Sequence, residues 1–169
     1  MLQPGPECGG TEYEQYYDIR RPRVWGFAQT RAHGSGWMVL HDLHVLPYVG
    51  SRKGRPSCMA DRKREVSEPG YYSLHFSDCK VQTEITVSKY VAHYRFTFDP
   101  QDGKGRILID EQAGPSYWDA KAGEGRLSSA ESAVSDDRRT LTGHLRVRSN
   151  VPEREVFYKM EFSRGAASV

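Results

Sequence analysis

The sequence predicts an all-β fold, an antiparallel β-sandwich, and three observations support this prediction. Apolar and polar residues alternate with a period of two through several segments, as they do in strands that bury one face. Turn residues such as Asp99-Pro100 and Asp102-Gly103 separate these segments. No window of helical length carries an apolar stripe with the 3.6-residue period of an α-helix. Many short strands with regular turn signals are typical of a sandwich.

The clearest alternation predicts four strands. In residues 90–98, Tyr94, Phe96 and Phe98 share one face. The other three strongly alternating segments are 81–88, 139–148 and 156–162. Shorter strands are predicted at 23–28, 37–40, 43–48, 70–76 and 105–110. Residues 111–137 are rich in Gly, Ala and Ser, and we expect a long loop there, with one short helix as the alternative.

The length of 169 residues fits one domain that is large enough to bury a core. Residues 1–12 are rich in Pro and Gly and are predicted to form a flexible lead-in. The predicted β-sandwich domain covers residues 13–164, and residues 165–169 form a tail.

Charge and hydropathy argue against two classes of partner. The 24 basic and 22 acidic residues are spread along the chain, whereas nucleic-acid binding requires concentrated positive charge. The densest basic stretch, residues 52–64, is predicted to be a solvated loop. No apolar run reaches the length of a membrane-spanning helix. The start of the chain lacks the features of a secretory signal, so we expect an intracellular protein or part of a longer product.

The cysteines give no sign of a metal or redox site. Cys8, Cys58 and Cys79 are an odd number with wide, irregular spacing, and no C-x-x-C pair is present. This pattern supports neither a zinc knuckle nor a redox motif. Three buried or inert thiols are expected, and a Cys58–Cys79 disulfide is the alternative.

The candidate ligand site lies in the first quarter of the chain, where aromatic, strand-like pieces flank a Gly-Ser-Gly turn. Ligand sites combine apolar walls with a few directed polar groups, and this segment supplies both for a small polar ligand. Trp25 or Trp37 would stack on the ligand, polar side chains would bond its hydroxyl groups, and glycines would allow close approach. The alternative is a hairpin tip with its aromatic residues in the core. The candidate residues are Trp25, Phe27, Gln29, Arg31, His33, Gly34, Gly36 and Trp37.

Neither a metal site nor a catalytic centre is predicted. On a regular strand His41 and His44 would point to opposite faces and could not chelate one ion, unless a bulge lay between them. Asp42 is expected to brace the neighbouring turn. Hydrolysis of a glycosidic bond requires two carboxyl groups at a defined separation, and nothing in the sequence pairs any two acids in this way. We therefore predict no catalytic residue within this chain.

Several motifs resemble the N-terminal domain of glycoside hydrolase family 92, the calcium-dependent exo-acting α-mannosidases. Residues 25–36, WGFAQTRAHGSG, are similar to the family's G-F-S-[HQ]-T-H-L-S-G-T-G loop. Residues 67–73, SEPGYYS, resemble its S-P-G-Y-Y-S strand. Residues 81–98, 107–110 and 156–163 continue the resemblance in consistent order. The loop departs from the family pattern at Arg31, where the family has His, and at His33, where it has Ser.

The resemblance implies a supersandwich, galactose-mutarotase-like domain that packs against a separate (α/α)6 barrel. It implies a mannose-containing glycan as ligand, with the candidate residues above as carbohydrate contacts. It also implies that the calcium ion and the catalytic acid and base belong mainly to the barrel, so no cofactor is expected in this chain. The chain begins after the family's opening strand and stops before the usual end of the domain, which predicts an incomplete sandwich, either a fragment or a stand-alone relative.

Two functions follow from these observations. The first is a carbohydrate-processing domain that contributes glycan contacts but no complete catalytic site. The alternative is a non-catalytic protein-interaction module derived from that domain, with unpaired strand edges that dock on a partner. A complete hydrolase within this chain is not expected. Relatives of this type are usually secreted or periplasmic, so the location stays open.

Overall fold

In the computed structural model, all regular elements of the described residues are β-strands. The described residues are 3–8, 17–31, 40–51, 56–99, 103–112, 127–148 and 153–169. Within them the strands are Gly5–Glu7 (β1), Arg23–Val24 (β2), Gly26–Ala28 (β3), His44–Val49 (β4), Cys58–Glu68 (β5), Tyr71–Phe76 (β6), Val81–Val87 (β7), Ala92–Phe98 (β8), Gly105–Asp110 (β9), Leu127–Val134 (β10), Thr140–Val147 (β11) and Arg154–Glu161 (β12). The prediction of an all-β protein is confirmed. No helix in the described parts of the chain is long and apolar enough to cross a membrane.

The strands group into two compact units, residues 1–114 and 115–169. Unit 1 contains two antiparallel sheets, with strand orders β1-β3-β4-β9 and β2-β5-β6-β7-β8. Apolar residues from both sheets form one core, as expected for a sandwich. Its fully buried members include Val24, Phe27, Leu46, Leu74 and Phe76. The predicted β-sandwich is thus confirmed.

The chain passes from one sheet to the other between β2 and β3. The single strand predicted over 23–28 is therefore two short strands, which belong to different sheets. Gly26 makes this change of sheet possible because its φ of +146° is rarely adopted by other residues. A Cβ atom at Gly26 would also lie 2.9 Å from the Cβ atom of His44. The alternation in the sequence could not reveal this break.

Two regions of unit 1 differ from the prediction. The lead-in contains β1, whose Gly5 pairs with Ala28 of β3, so part of residues 1–12 belongs to the sheet. The basic stretch 52–64, predicted to be a loop, enters β5 at Cys58. The register between β5 and β6 shifts between Asp61 and Val66, and this irregularity interrupts the alternation from which a strand would have been recognised. Residues 37–39 of the predicted strand 37–40 lie outside the described part of the chain.

Unit 2 contains a three-stranded antiparallel sheet with the order β10-β11-β12. Strand β10 lies within residues 111–137, for which a loop was predicted, and its register with β11 runs from Leu127↔Val147 to Val134↔Leu141. The prediction was wrong for 127–134 because this strand is almost entirely exposed. An exposed strand of Ser and Ala residues shows little alternation between apolar and polar side chains. Residues 113–126 are outside the described ranges.

The prediction of three unpaired thiols was wrong. Cys58 and Cys79 form a disulfide with a Cα–Cα distance of 5.6 Å, and both residues are fully buried. The bond joins the start of β5 to the turn between β6 and β7, two points that the sheet brings together although they are 21 residues apart in sequence. Cys8 is a buried free thiol, as expected.

Candidate functional site

Strands β3 and β4 fix the two ends of the segment that carries the candidate ligand residues. The pairs Phe27↔Val45 and Ala28↔His44 form the regular part of the ladder. Beyond this ladder, two backbone hydrogen bonds continue the pairing. The Gln29 backbone N–H donates to the Asp42 carbonyl at 3.1 Å, and the His41 backbone N–H donates to the Thr30 carbonyl at 2.8 Å. These paired residues, 27–30 and 41–45, form the base of the segment. The chain leaves this base at residue 31 and returns to it at residue 40.

Thr30 and Asp42 close the base through their side chains. The Thr30 hydroxyl donates to Asp42 Oδ2 at 2.9 Å and accepts from the Asp42 amide at 2.9 Å. Asp42 is only 2% exposed, so these bonds are shielded from competition with water. This geometry agrees with the expectation that Asp42 braces the turn.

Phe27 and Gln29 anchor the base to the core. Phe27 is fully buried, and its ring packs against the rings of Tyr72, Phe76 and Tyr94. Gln29 Nε2 donates to the Phe27 carbonyl at 2.7 Å and lies 2.9 Å from the Tyr94 hydroxyl. Burial raises the pKa of Tyr94, which therefore stays a neutral partner of the amide. Phe27 and Gln29 thus attach the base of the candidate segment to the core.

Arg31 lies at the point where the chain leaves the base. Its Nη2 atom donates to the Pro6 carbonyl of β1, and the guanidinium lies against Gly5. A Cβ atom at Gly5 would be 2.8 Å from Arg31 Cζ, so a larger residue at this position would displace the guanidinium. Burial lowers the pKa of Arg31, while the nearby Glu7 opposes that shift. Sequence reasoning missed the contribution of β1 because residues 1–12 resemble a linker.

A buried pair of an imidazole and a carboxylate also joins β1 to this region. His41 Nδ1 lies 3.1 Å from Glu7 Oε2, and the two residues are 6% and 4% exposed. His44 Nε2 lies 3.1 Å from the His41 carbonyl. The backbone here is not a regular strand, because His41 and Leu43 have φ values of +73° and +56°. The two imidazole rings contact different groups, the Glu7 carboxylate for His41 and the His41 carbonyl for His44.

The described residues contain one cluster with the spacing of a metal site, formed by Cys58, Asp78 and Cys79. The two sulfur atoms of this cluster are joined in the disulfide and are not available as thiolate ligands. Calcium binds six to eight oxygen ligands, which this group does not provide. The cluster therefore belongs to the structural disulfide.

The remaining candidate residues lie at or beyond the ends of the described segments. Trp25 is half-buried at the junction of β2 and β3, and its amide donates to the Glu7 carbonyl at 2.7 Å. His33, Gly34, Gly36 and Trp37 lie outside the residues that the structure describes. The structure thus brings Phe27, Gln29 and Arg31 to one base and leaves the contacts above that base as a prediction.

The whole chain, residues 1–169, matches the glycosyl hydrolase family 92 N-terminal domain. The chain belongs to this family. Among curated proteins, none matches the chain. The match confirms the resemblance noted in residues 25–36, 67–73 and 81–98.

Solved structures support the fold of this family 92 domain. The family 92 α-mannosidase of Bacteroides thetaiotaomicron superposes with a TM-score of 0.81 at 24% sequence identity. The same enzyme in complex with mannoimidazole gives a TM-score of 0.80 at 22% identity. Each comparison covers 96% of this chain but 22% of the solved chain. At this identity the likeness shows the fold alone, and this chain spans about a fifth of the enzyme that it resembles.

Replacing Thr30 by Val should lower the free energy of unfolding by about 1–2 kcal/mol, because it removes both hydrogen bonds to Asp42 from a buried base. Urea unfolding monitored by tryptophan fluorescence measures the change. Thr86→Val is the matched control, since the Thr86 hydroxyl donates to the Gly70 carbonyl at an exposed turn. Equal losses in the two variants would contradict a special role for the Thr30–Asp42 contact.

Proposed function

We propose that this chain is a carbohydrate-processing domain of an exo-α-mannosidase and contributes contacts to a mannose-containing glycan through residues 31–40. Family membership supports the general assignment. The observation that carries the glycan contact is the base formed by Thr30, Asp42 and the β3–β4 ladder, which holds both ends of this segment.

The proposed roles follow from side-chain chemistry. Arg31 and His33 would bond sugar hydroxyls, Trp25 or Trp37 would form a stacking wall, and the glycines of the turn would allow close approach. Gln29 and Phe27 would not contact the sugar directly but would hold Arg31 and its neighbours in place through their packing in the core. His33 and Arg31 would replace the Ser and His of the family loop as donors.

We propose further that this chain alone does not hydrolyse glycosides. The acid, the base and the calcium ion would belong to a helical (α/α)6 barrel in the parent enzyme. The chain spans 22% of the solved α-mannosidase chains, which leaves ample length for such a domain in a protein of that size.

Isothermal titration with mannose and α-1,2-mannobiose tests the glycan contact. We expect measurable binding by the wild-type chain and a loss of about tenfold or more in Trp37→Ala and His33→Ala, because each removes a proposed contact. Tyr90→Ala is the matched control, since Tyr90 is 71% exposed and lies on the β7–β8 turn. Absence of binding by a monodisperse wild-type chain would refute the proposed glycan contact.

Incubation with an aryl α-mannoside tests the second part of the proposal. We expect no release of the aryl group by the purified chain, with or without added calcium. Release that scales with protein concentration and survives repurification would show that a complete catalytic site lies within these 169 residues.

A protein-interaction module is the second candidate, and one observation favours it. The turn between β7 and β8 exposes Val87, Tyr90 and Val91, with exposed fractions of 42%, 71% and 49%. Lys89 Nζ lies 5.0 Å from the centre of the Tyr90 ring, so the tip combines apolar area with one positive charge. A chain that binds no mannoside but associates through this tip would support the alternative.

A further inference from the structure

A pair of stacked rings, one half-buried and one exposed, lies on the polar face of the sheet in unit 2. His144 of β11 and Phe157 of β12 are directly opposite each other in the ladder. Their ring centroids are 4.2 Å apart and their planes differ by 1°. The imidazole covers only one face of the Phe157 ring, so Phe157 remains 69% exposed.

Strand β12 is an edge of this sheet among the described strands. Two charged residues flank Phe157 on the same face. Glu155 and Lys159 are each two positions away, which places them about 7 Å along the strand on either side of the ring. Their side chains are 45% and 60% exposed. An aromatic ring, a carboxylate and an ammonium group therefore form one accessible row.

Ion pairs hold this row in place. Glu155 Oε1 lies 3.0 Å from Arg146 Nε, and Lys159 Nζ lies 2.6 Å from Glu161 Oε1. The positive and negative groups balance, which disfavours a strongly charged ligand such as a nucleic acid. Balanced donors and acceptors beside an aromatic face suit a neutral ligand with many hydroxyl groups and one apolar surface.

We propose that Phe157, Glu155 and Lys159 form a second sugar-binding surface, on which a pyranose unit of a glycan stacks its C–H face. The Glu155 carboxylate accepts hydrogen bonds from sugar hydroxyls, and the Lys159 ammonium donates to them. Membership in a glycoside hydrolase family supplies the ligand class. The inference goes beyond the proposed function because it uses only residues of unit 2 and none of residues 31–40.

A titration of the ¹⁵N-labelled 169-residue chain with α-1,2-mannobiose tests the proposal. We expect saturable shifts, in the millimolar range, of the amides of residues 144 and 155–159. Phe157→Ala should weaken this binding by about tenfold or more, and Phe157→Tyr should stay within about threefold of the wild type because it keeps the ring. Glu155→Gln, which keeps a hydroxyl partner, should weaken binding less than Phe157→Ala.

Tyr90→Ala is the matched control, because Tyr90 is equally exposed but stands on the β7–β8 turn of unit 1. It should leave the shifts on β12 unchanged. The proposal is overturned if β12 shows no saturable shifts, or if Phe157→Ala binds like the wild type. It is also overturned if the β12 shifts depend on protein concentration without sugar, which would indicate a protein contact. Amide chemical-shift changes at residues 29–31 and 40–42 would report sugar binding at the site of the proposed function. The two sites are therefore tested separately, and either one can fail without the other.

Discussion

Breaking the Cys58–Cys79 disulfide is expected to lower the free energy of unfolding of unit 1 by about 3 kcal/mol. The two cysteines are 21 residues apart, and closing a loop of this length restricts the unfolded chain by about that amount in the chain-entropy estimate. Both residues are fully buried, so replacement also removes packed atoms from the core. An oxidising environment is needed for this bond to form and persist.

Guanidinium unfolding of the wild type, with and without reductant, measures this effect. The Cys58→Ala/Cys79→Ala chain is the matched control, because its stability should be low in both conditions and should not respond to the reductant. Cys8 remains in both proteins and cancels in the comparison. Equal midpoints for reduced and oxidised wild type would show that the disulfide does not stabilise the fold.

The strands that were predicted correctly are those in which side-chain alternation survives in the structure. Residues 81–88 and 90–98 became β7 and β8, and 139–148 and 156–162 became β11 and β12. In β8 the alternation of half-buried and exposed residues follows the sequence residue by residue. A strand with one buried face can be recognised in this way because its two faces meet different surroundings.

The elements that were not predicted lack this difference between faces. Strand β10 is almost wholly exposed, and β5 carries charged residues on both faces. In β5, Glu65 lies within the register shift and its side chain is only 7% exposed, although no sequence pattern would bury a carboxylate there. The disulfide was missed for a related reason, since only the pairing of β5 with β6 brings Cys58 near Cys79.

The base of the candidate site could be predicted in part. Asp42 braces this base as expected from its place beside the turn. Nothing in the sequence indicated that β1 contributes Glu7 to His41 and the Pro6 carbonyl to Arg31. These contacts join residues more than twenty positions apart and arise only when β1 pairs with β3. Local patterns cannot show them.

Replacing Glu65 by Ala is expected to cost about 3 kcal/mol of stability, because it breaks a buried ion pair from one side. Glu65 Oε2 lies 2.9 Å from Arg62 Nη1, and the side chains of Glu65 and Arg62 are 7% and 16% exposed. Glu65 Oε1 accepts from the hydroxyls of Tyr72 and Tyr17, at 2.5 and 3.0 Å. Loss of the carboxylate would leave the Arg62 charge in a poorly solvated place, and removal of one partner of such a pair is strongly destabilising.

The chain contains a matched control with the same chemistry at the surface. Glu84 pairs with Arg95 and accepts from the Tyr71 hydroxyl at 2.9 Å, but the Arg95 side chain is 74% exposed. Hydrogen bonds from Arg95 lower the pKa of Glu84, so this carboxylate is ionised near neutral pH. Solvent can replace these contacts when the glutamate is removed, and Glu84→Ala should therefore cost far less than Glu65→Ala.

Urea unfolding of both alanine variants and the wild type gives the comparison directly. The Arg62→Met/Glu65→Leu double variant completes it, because an apolar pair of similar volume removes both charges together. We expect this double variant to be more stable than Glu65→Ala, since no guanidinium is then left without its carboxylate. If Glu65→Ala and Glu84→Ala lose the same stability, burial does not govern these two networks. If the double variant is less stable than Glu65→Ala, the backbone bonds of Arg62 to the Arg21 and Asp18 carbonyls matter more than its charge.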